Sequence, residues 1–336
     1  MKNQFWNRWH LVAVHIALAI AWLLATAPVL AQDRVAGKYP ERAVRIVVPY
    51  TPGGGSDVLM RPIAQRLNER WGVPVVVDNR GGAGSVLGTG IVAKAAPDGY
   101  TLLMISPAHA INATLVKKLP FDPVADFVPI VLIMSAPNVL VSHPSVPVRS
   151  VKQLVALAKS RPGKLSYATS GVGTSIHLGM ELFKKMAGVD IVAVHYKGAA
   201  PARSDVIGGH VDLVMPNVAA TKPFIVAGKL NALGVSSARR SSLMPDVPTM
   251  AEQNLPGYDV STWYGLVAPA GTPAEVVSRV NADVVALLAR EEFRKQLANS
   301  EGGEVIGNTA AEFRAFLAAE FTRWGTLIRE ANIRAD

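Results

Sequence analysis

The chain has no cysteine among its 336 residues. This absence excludes disulfides, thiolate catalysis, zinc sites built from cysteine and an N-terminus anchored through a lipidated cysteine. Charged residues are also few, at 18%, while hydrophobic residues reach 50%, a composition far from that of disordered proteins. The length suggests two domains of ordinary size, each able to bury its own core.

Aromatic residues are scarce, at 7%. The net charge of +9 would suit a nucleic-acid partner, but the basic residues are scattered and do not alternate with aromatic ones. The densest basic groups are pairs, such as Lys184-Lys185 and Arg239-Arg240. We therefore expect no nucleic-acid binding. The positive surface is either functionally silent or a general attraction for anions.

The motifs of common catalytic sites are missing as well. No Gly-Lys pair precedes Ser or Thr, so there is no nucleotide P-loop, and neither a dinucleotide fingerprint nor a G-x-S-x-G nucleophile elbow occurs. The histidines after residue 31 lack metal-ligand spacing. We expect no catalysis, no metal and no cofactor. A hydrolase or isomerase is an alternative, although it lacks a paired acid and base.

The N-terminus has the three-part layout of a secretory signal peptide. Lys2 and Arg8 precede an apolar run at residues 11–24, which is too short for a membrane-spanning helix. Val29 and Ala31 supply small residues for cleavage before Gln32. We expect export to the periplasm, cleavage after Ala31 and a soluble mature protein.

From Val44 onward, apolar β-branched runs alternate with amphipathic segments. This alternation predicts a βαβαβ unit, with a parallel sheet covered by helices on both faces. The predicted strands are 44–49, a buried strand at 75–77, and 100–105, and the predicted helices cover 57–71 and 91–95.

The same alternation restarts after Ser150 and predicts a second α/β lobe. Its predicted helices are 151–160 and 175–187, its strands 164–168, 191–194, 211–215 and 230–235, and the chain closes with strand 260–268 and helices 273–297 and 310–331. Extended stretches at 128–143 and 260–269 predict two crossovers, with the last helices in the first lobe and a hinge between lobes. The expected bounds are 1–31 for the signal, 32–139 plus 259–336 for lobe 1 and 140–258 for lobe 2.

The strongest functional pattern is a glycine-rich loop between the first strand and the first helix. It reads Pro49-Tyr50-Thr51-Pro52-Gly53-Gly54-Gly55-Ser56-Asp57, and we call it loop 1. Glycines let consecutive backbone N–H groups converge, and the following helix adds unpaired donors and a positive dipole end. Loop 1 therefore predicts an anion site built from main chain, although a tight turn alone would also use glycine.

Asp57 fits that anion site poorly, because a carboxylate would repel a bound anion. Either Ser56 or Asp57 could cap the helix. For Asp57 we favour a cap or a brace for the loop, with contact to a ligand hydroxyl or amine as the alternative.

Three further polar, glycine-bearing turns separate predicted strands from helices. They are Asn79-Arg80-Gly81-Gly82-Ala83-Gly84-Ser85, Ala168-Thr169-Ser170-Gly171-Val172-Gly173-Thr174-Ser175 and His195-Tyr196-Lys197-Gly198-Ala199-Ala200-Pro201. Ligands of open α/β sheets bind beyond the carboxyl ends of strands, so turns divided between two lobes predict a cleft that closes on its ligand. Ser106 and His109, after the third strand, and Asn217, after strand 211–215, are additional candidates.

In this order, the turns resemble those of Bug-type substrate-binding proteins of tripartite tricarboxylate transporters, over nearly the whole chain after the signal. The most specific pieces are loop 1, Val77-Asp78-Asn79-Arg80, Ala95-Ala96-Pro97-Asp98-Gly99-Tyr100, Leu119-Pro120-Phe121-Asp122-Pro123, Ser170-Gly171-Val172-Gly173-Thr174, Tyr196-Lys197-Gly198, Pro245-Asp246-Val247-Pro248-Thr249, Trp263-Tyr264-Gly265-Leu266 and Ala268-Pro269-Ala270-Gly271-Thr272-Pro273.

The resemblance implies a type II periplasmic-binding-protein fold, a monomer, and a small organic carboxylate passed to a membrane permease. By this resemblance, the expected ligand contacts are Thr51, Gly53, Gly54, Ser56, Ser85, Thr169, Ser170, Gly171, Gly173, Thr174, Tyr196 and Gly198. Tyr50, Asp57, Ser106, His109 and Asn217 complete our set of candidates. A receptor that presents its ligand to a membrane signalling partner would use the same cleft and is the alternative.

Two departures from the family pattern bear on the ligand. Many relatives have a Gly-Asn step where this chain has Ser85-Val86, and many carry an acidic residue where Pro216 precedes Asn217. The missing carboxylate argues against an amino acid or amine. The sequence thus favours a plain mono- or dicarboxylate, aliphatic or aromatic.

Overall fold

The computed structural model describes residues 39–330 and 332–334. The expected export signal lies outside these residues. The chain divides into a unit Met1–Glu41 and a unit Arg42–Asp336, and the second unit holds both β-sheets. None of the described helices is both long enough and apolar enough to cross a membrane.

A six-stranded sheet with its helices forms the first lobe. The strands are β1 (Val44–Val48), β2 (Val75–Asn79), β3 (Thr101–Ile105), β4 (Phe127–Pro137), β10 (Ser261–Pro269) and β11 (Glu304–Val305). The helices are α1 (Gly55–Trp71), α2 (Val86–Ala93), α3 (Pro107–Leu115), α8 (Ala274–Leu288), α9 (Glu291–Glu301) and α10 (Ala310–Glu330). The strand order is β11-β4-β10-β3-β1-β2.

A five-stranded sheet forms the second lobe. Its strands are β5 (Val139–Ser142), β6 (Ser166–Thr169), β7 (Val192–His195), β8 (Leu213–Val214) and β9 (Asn231–Val235), and its helices are α4 (Val151–Ser160), α5 (Ser175–Ala187), α6 (Ala199–Ile207) and α7 (Val218–Val226). The order is β7-β6-β8-β5-β9. The two sheets confirm the expected pair of α/β lobes. The lobe bounds at 139/140 and 258/259 stay predictions.

The predicted parallel pairing within the βαβαβ unit is confirmed, because β1 runs parallel to β2 and β3. The complete sheet is mixed, since β10 is antiparallel to both β3 and β4. The reason is the crossing of the chain between lobes: β4 leads out of the first lobe and β10 leads back into it. These two strands therefore run in opposite directions when they pair, and the sheet is mixed.

Strand β2 is not buried as predicted. It ends the sheet order, and the Val76 side chain is 51% exposed. The run of three valines indicates a strand correctly, but an edge position leaves one face of it without a covering helix. Periodicity alone does not distinguish an edge strand from a central one.

The single helix predicted over 273–297 is two helices, α8 and α9. The break falls at Ala289-Arg290, where Arg290 adopts an extended backbone before α9. Glu291 and Glu292 then lie in the first turn of α9, where acidic side chains interact favourably with the helix dipole. The acidic pair is the local signal for this new start.

Helix α10 packs into the cores of both lobes. Phe313 and Leu317 belong to the core of the first lobe, whereas Trp324, Leu327 and Ile328 belong to the cluster that fills the second lobe. The buried Glu320 carboxylate lies between these groups. Its Oε2 accepts hydrogen bonds from Trp263 Nε1 at 2.7 Å and Trp324 Nε1 at 2.8 Å. The cluster that fills the second lobe also contains residues of α3 in the first lobe, so the expected assignment of the last helices to the first lobe stays a prediction.

We expect Glu320→Ala to lower the free energy of unfolding by about 2–4 kcal/mol, since two buried indole N–H groups lose their acceptor. Urea denaturation measures this loss. The matched control is Glu330→Ala, which removes an exposed acid from the same helix, one that pairs with Lys185 of α5, and it should cost far less. Equal losses in the two variants would show that the two buried hydrogen bonds to Glu320 do not stabilise the fold.

Candidate functional site

Loop 1 connects β1 to α1 and is braced by Asp57. Asp57 Oδ2 accepts the Gly53 amide at 2.9 Å and Arg61 Nε at 2.9 Å. Gly53 has φ +80°, a conformation that favours glycine. Burial alone would raise the pKa of Asp57, but the hydrogen bonds from Arg61 and Gly53 outweigh it and hold the pKa below its usual range. The ionised side chain therefore fixes the course of the loop.

The expected cap from Ser56 or Asp57 is wrong. Helix α1 begins at Gly55, Gly54 occupies the N-cap position, and no side chain of the described residues caps it. A glycine at this position has no side chain that could accept hydrogen bonds from the first amides of α1. Within the described part of the chain, the amides of Gly54, Gly55 and Ser56 have no hydrogen-bond acceptor. Three donors at the start of a 17-residue helix are an arrangement that favours an anion.

Polar side chains from neighbouring strand ends meet around loop 1. The Tyr50 hydroxyl lies 2.5 Å from Ser106 Oγ and also interacts with Ser85. Burial raises the pKa of Tyr50. Tyr50, Ser85 and Ser106 were predicted separately from three different turns, and the structure brings them together. The side chains that meet at this point are therefore neutral and carry hydroxyl groups.

The second turn carries unusual backbone conformations. Ala83 and Ser85 both have positive φ, at 47° and 85°, which is rare for residues with a side chain. Asn112 in α3 holds the turn, because its Nδ2 donates to the Gly84 carbonyl at 2.8 Å. Such backbone conformations persist where surrounding contacts impose them, and they concentrate at functional sites.

The lobes approach each other closely at two glycines. A Cβ placed on Gly84 would lie 3.0 Å from the Val172 carbonyl oxygen, and one on Gly173 would lie 2.7 Å from Asn112 Oδ1. Gly84 and Asn112 belong to the first lobe, and Val172 and Gly173 to the second. Loop 1 adjoins this junction, since a Cβ on Gly81 would lie 2.9 Å from the Thr51 amide nitrogen. The glycine turns of the two lobes thus face each other.

The second-lobe turn uses its own amides internally. Gly171 N donates to Thr169 Oγ1 at 3.1 Å, and Gly173 N donates to His177 Nδ1 at 3.4 Å. Thr174 caps α5 through its hydroxyl oxygen, which accepts from His177 N. Gly171 and Gly173 are expected ligand contacts, but their amides already donate hydrogen bonds within the second lobe.

Two histidines contact the second-lobe turn. The rings of His177 and His195 are in edge contact, with centroids 5.1 Å apart, and His195 Nδ1 lies 2.8 Å from Thr169 Oγ1. Burial lowers the pKa of His177 to about 4, so the ring is neutral at pH 7 and its Nδ1 can accept the Gly173 amide. Sequence analysis left these histidines without a role, because their spacing along the chain does not reveal the contact.

The fourth turn is held by its tyrosine. Tyr196 donates its hydroxyl proton to Asp205 Oδ2 at 2.5 Å, and Gly198 has φ +154° at the N-cap of α6. Burial and the Asp205 carboxylate raise the pKa of Tyr196 to about 12. Tyr196 is therefore a neutral side chain linked to α6.

His109 and Asn217 occupy structural positions. His109 is buried in the first lobe, its Nε2 lies 2.8 Å from the Pro123 carbonyl oxygen, and its ring packs edge-on against Phe127. Burial lowers the pKa of His109 to about 4. Asn217 caps α7, with Oδ1 accepting from Ala219 N at 2.8 Å. Neither residue forms a hydrogen bond with loop 1 within the described part of the chain, and the buried Asn217 Nδ2 has no partner there. Their roles as ligand contacts stay predictions.

Tyr264 and Glu301 border loop 1 but were not among the predicted site residues. A Cβ on Gly55 would lie 2.8 Å from Tyr264 Oη and 2.9 Å from Glu301 Oε2. Tyr264 falls within one of the motif pieces that carry the family resemblance, which was an available signal. Glu301 is the last residue of α9, which tertiary packing brings next to loop 1. No local pattern in the sequence marks this residue as part of the site.

Comparisons with known proteins agree with this arrangement. The chain is 36% identical over 330 residues to protein BugT of Bordetella pertussis, covering 98% of this chain and 99% of BugT. The structure of Rpa4515 from R. palustris with adipate is similar with a TM-score of 0.84 and 39% identity, over 88% of this chain and 99% of that one.

MatC from Rhodopseudomonas palustris, solved with bound malate, is similar with a TM-score of 0.80 and 30% identity, over 86% of this chain and all of that one (100%). These similarities confirm the periplasmic-binding-protein fold implied by the sequence. Residues 59–333 match the model of the TctC family, described as the tripartite tricarboxylate transporter family receptor. The chain belongs to this family of receptors, and to its Bug-type members.

Proposed function

We propose that this protein is a periplasmic receptor that captures a small organic carboxylate between its two lobes. The observation that carries the proposal is the set of three unengaged amides at residues 54–56, next to the junction of the lobes. A carboxylate there would accept several main-chain hydrogen bonds and interact with the positive end of the α1 dipole. Residues 1–31 would direct export and be removed after Ala31.

The ligand class follows from the charges near the site. Asp57 is engaged with Gly53 and Arg61, Pro216 stands where many relatives carry an acid, and the Asn217 side-chain oxygen caps α7. The acid that would pair with an ammonium group in those relatives is therefore missing from this chain. Adipate and malate, seen with two relatives, are dicarboxylates without an amine. We infer a mono- or dicarboxylate rather than an amino acid.

The two lobes would act differently in binding. The first lobe offers the free amides of loop 1 and the hydroxyls around Tyr50. The second lobe would close over the anion with the turn at residues 169–174. In that turn, Gly171 and Gly173 would contribute the space for close approach, since their amides are engaged. Closure would bury the ligand.

Membership of a transporter receptor family supports delivery of the ligand to a membrane permease, by a monomer without catalysis or cofactor. We expect a strain that lacks the gene to lose uptake of the bound carboxylate and to regain it with the wild-type gene. Radiolabelled uptake measures this. Unchanged uptake, with loss of a transcriptional response to the carboxylate, would favour the signalling receptor instead.

A thermal-shift screen of residues 32–336, refolded to remove carried ligand, tests the binding function. The panel holds mono-, di- and tricarboxylates, aromatic acids, amino acids and sugars. A ligand at 100 times its Kd adds about 2.7 kcal/mol, enough to raise the Tm by several degrees. We expect shifts confined to one carboxylate class. A response to sugars or amines alone would overturn the proposal.

Gly54→Val tests loop 1 directly. Gly54 has an extended backbone, and a Cβ there would meet only the Thr51 carbonyl oxygen at 3.8 Å, so the variant should fold. Its branched side chain would cover the open amides, and we expect the Kd to rise at least about tenfold, or about 1.4 kcal/mol. Ser56→Ala, the matched control, keeps its amide and should change the Kd only a few-fold. Calorimetric titration with the carboxylate identified by the screen distinguishes the two. Normal binding by a folded Gly54→Val protein would show that the anion site lies elsewhere.

A further inference from the structure

Glu301 is a buried acid without a basic partner. It ends α9, its side chain is almost fully enclosed at 3% exposure, and it forms no ion pair with any lysine, arginine or histidine of the described residues. Asp57, Asp283 and Glu320, the other buried acids of the first lobe, each pair with an arginine. An isolated buried carboxylate is costly, so burial shifts this side chain towards the neutral form.

The Glu301 carboxyl lies directly against the first residue of α1. Glu301 Oε2 would be 2.9 Å from a Cβ on Gly55, and it accepts a hydrogen bond from Tyr264 Oη at 3.2 Å. Gly55 carries one of the three open amides of loop 1. The Glu301 carboxyl therefore lies next to a backbone residue of the candidate anion site.

The elements packed around Glu301 bring few titratable groups to it. β10 presents Tyr264, and Tyr50 of loop 1 interacts electrostatically with that tyrosine. The atoms nearest to a Cβ on Gly302 or Gly303 belong to uncharged residues, which are Ala219 of α7, Leu243, and Ser135 and Ala136 of β4, and Glu301 itself adjoins Gly55 of α1. Burial raises the pKa of Glu301 to about 7, although the Tyr264 hydrogen bond lowers it. Both protonation states are therefore populated near neutral pH.

We propose that Glu301 is a further determinant of anion binding at loop 1, and that it must be neutral when an anion occupies the amides of residues 54–56. This inference rests on the proposed function. A carboxylate ligand at those amides and an ionised Glu301 would be two like charges in a buried region, and they repel strongly there. Binding therefore favours the protonated acid, and by linkage protonation favours binding. Glu301 is a positioning residue that acts through α1, and it sets the affinity for anions according to pH.

The test is calorimetric titration of the mature protein with adipate and with malate between pH 6.5 and 8.5. For wild type we expect the Kd to rise about tenfold across this range, a coupling of ordinary size between two sites. At pH 8 the binding enthalpy should also depend on the buffer, because a proton is taken up. Glu301→Gln, which keeps the shape of the neutral acid, should show a constant Kd and no proton uptake.

The matched control is Glu304→Gln, which changes an exposed acid three residues away and should retain the pH dependence of wild type. A ligand-free measurement adds a second check. Because the pKa of Glu301 is raised, its contribution to stability is complete below the unfolded value and is lost as pH rises through about 7. From about pH 4.5 to 7 the Tm of wild type should therefore fall relative to that of Glu301→Gln, and above pH 7 the difference should stay constant.

The outcomes separate this inference from the proposed function. Binding of adipate or malate with the same Kd at all pH values, or with equal pH dependence in wild type and Glu301→Gln, would overturn the role of Glu301 alone. No binding of either probe by any of the three proteins, with no carboxylate response in the thermal-shift screen, would overturn the receptor function itself.

Discussion

The hydrogen bond from the Gly53 amide to the Asp57 carboxylate is the constraint on which the site depends. It closes loop 1 on itself, and Arg61 keeps the acceptor ionised by pairing with the same oxygen. With Gly53 fixed at positive φ, the chain enters α1 through Gly54, which has no side chain to act as a cap. The next amides are then left without partners. An acid that would repel an anion in isolation thus uses one amide of loop 1 and leaves three amides free for the proposed anion.

The glycine amides of the two lobes differ in their hydrogen bonds. In the second-lobe turn the two glycine amides donate to Thr169 and His177, whereas the amides of residues 54–56 in loop 1 have no acceptor among the described residues. Buried polar groups need partners, so these two engaged amides can approach the other lobe at little cost. This difference fits the proposed receptor, in which one lobe binds first and the other closes over the ligand.

The sequence predicts local elements well because their signals are local. Helical spacing gives α4 and α5 with their observed bounds, and glycine-bearing turns mark all four strand ends of the candidate site. It does not predict which strands pair, so the mixed sheet and the edge position of β2 were missed. Glu301, Asn112 and His177 reach the site through tertiary packing, and each looks ordinary along the chain. Asn217 and His109 show the converse, since polar residues after strands also serve as helix caps and buried packing groups.

Closure must be reconciled with three connections between the lobes. The chain crosses between Pro137 and Val139 and returns between Val235 and Ser261, and the end of α10 packs with the second-lobe core through Trp324. An opening that separates Gly84 from Val172 must bend both crossings and shift α10 against one of its two cores. Packed cores resist continuous deformation, so such motion favours two discrete arrangements over a gradual one. Glu301 lies where these constraints meet, because Gly302 beside it touches Ala219 of the second lobe. Under the proposals made here, the charge of this acid therefore affects both the anion at loop 1 and the surface against which the lobes would close.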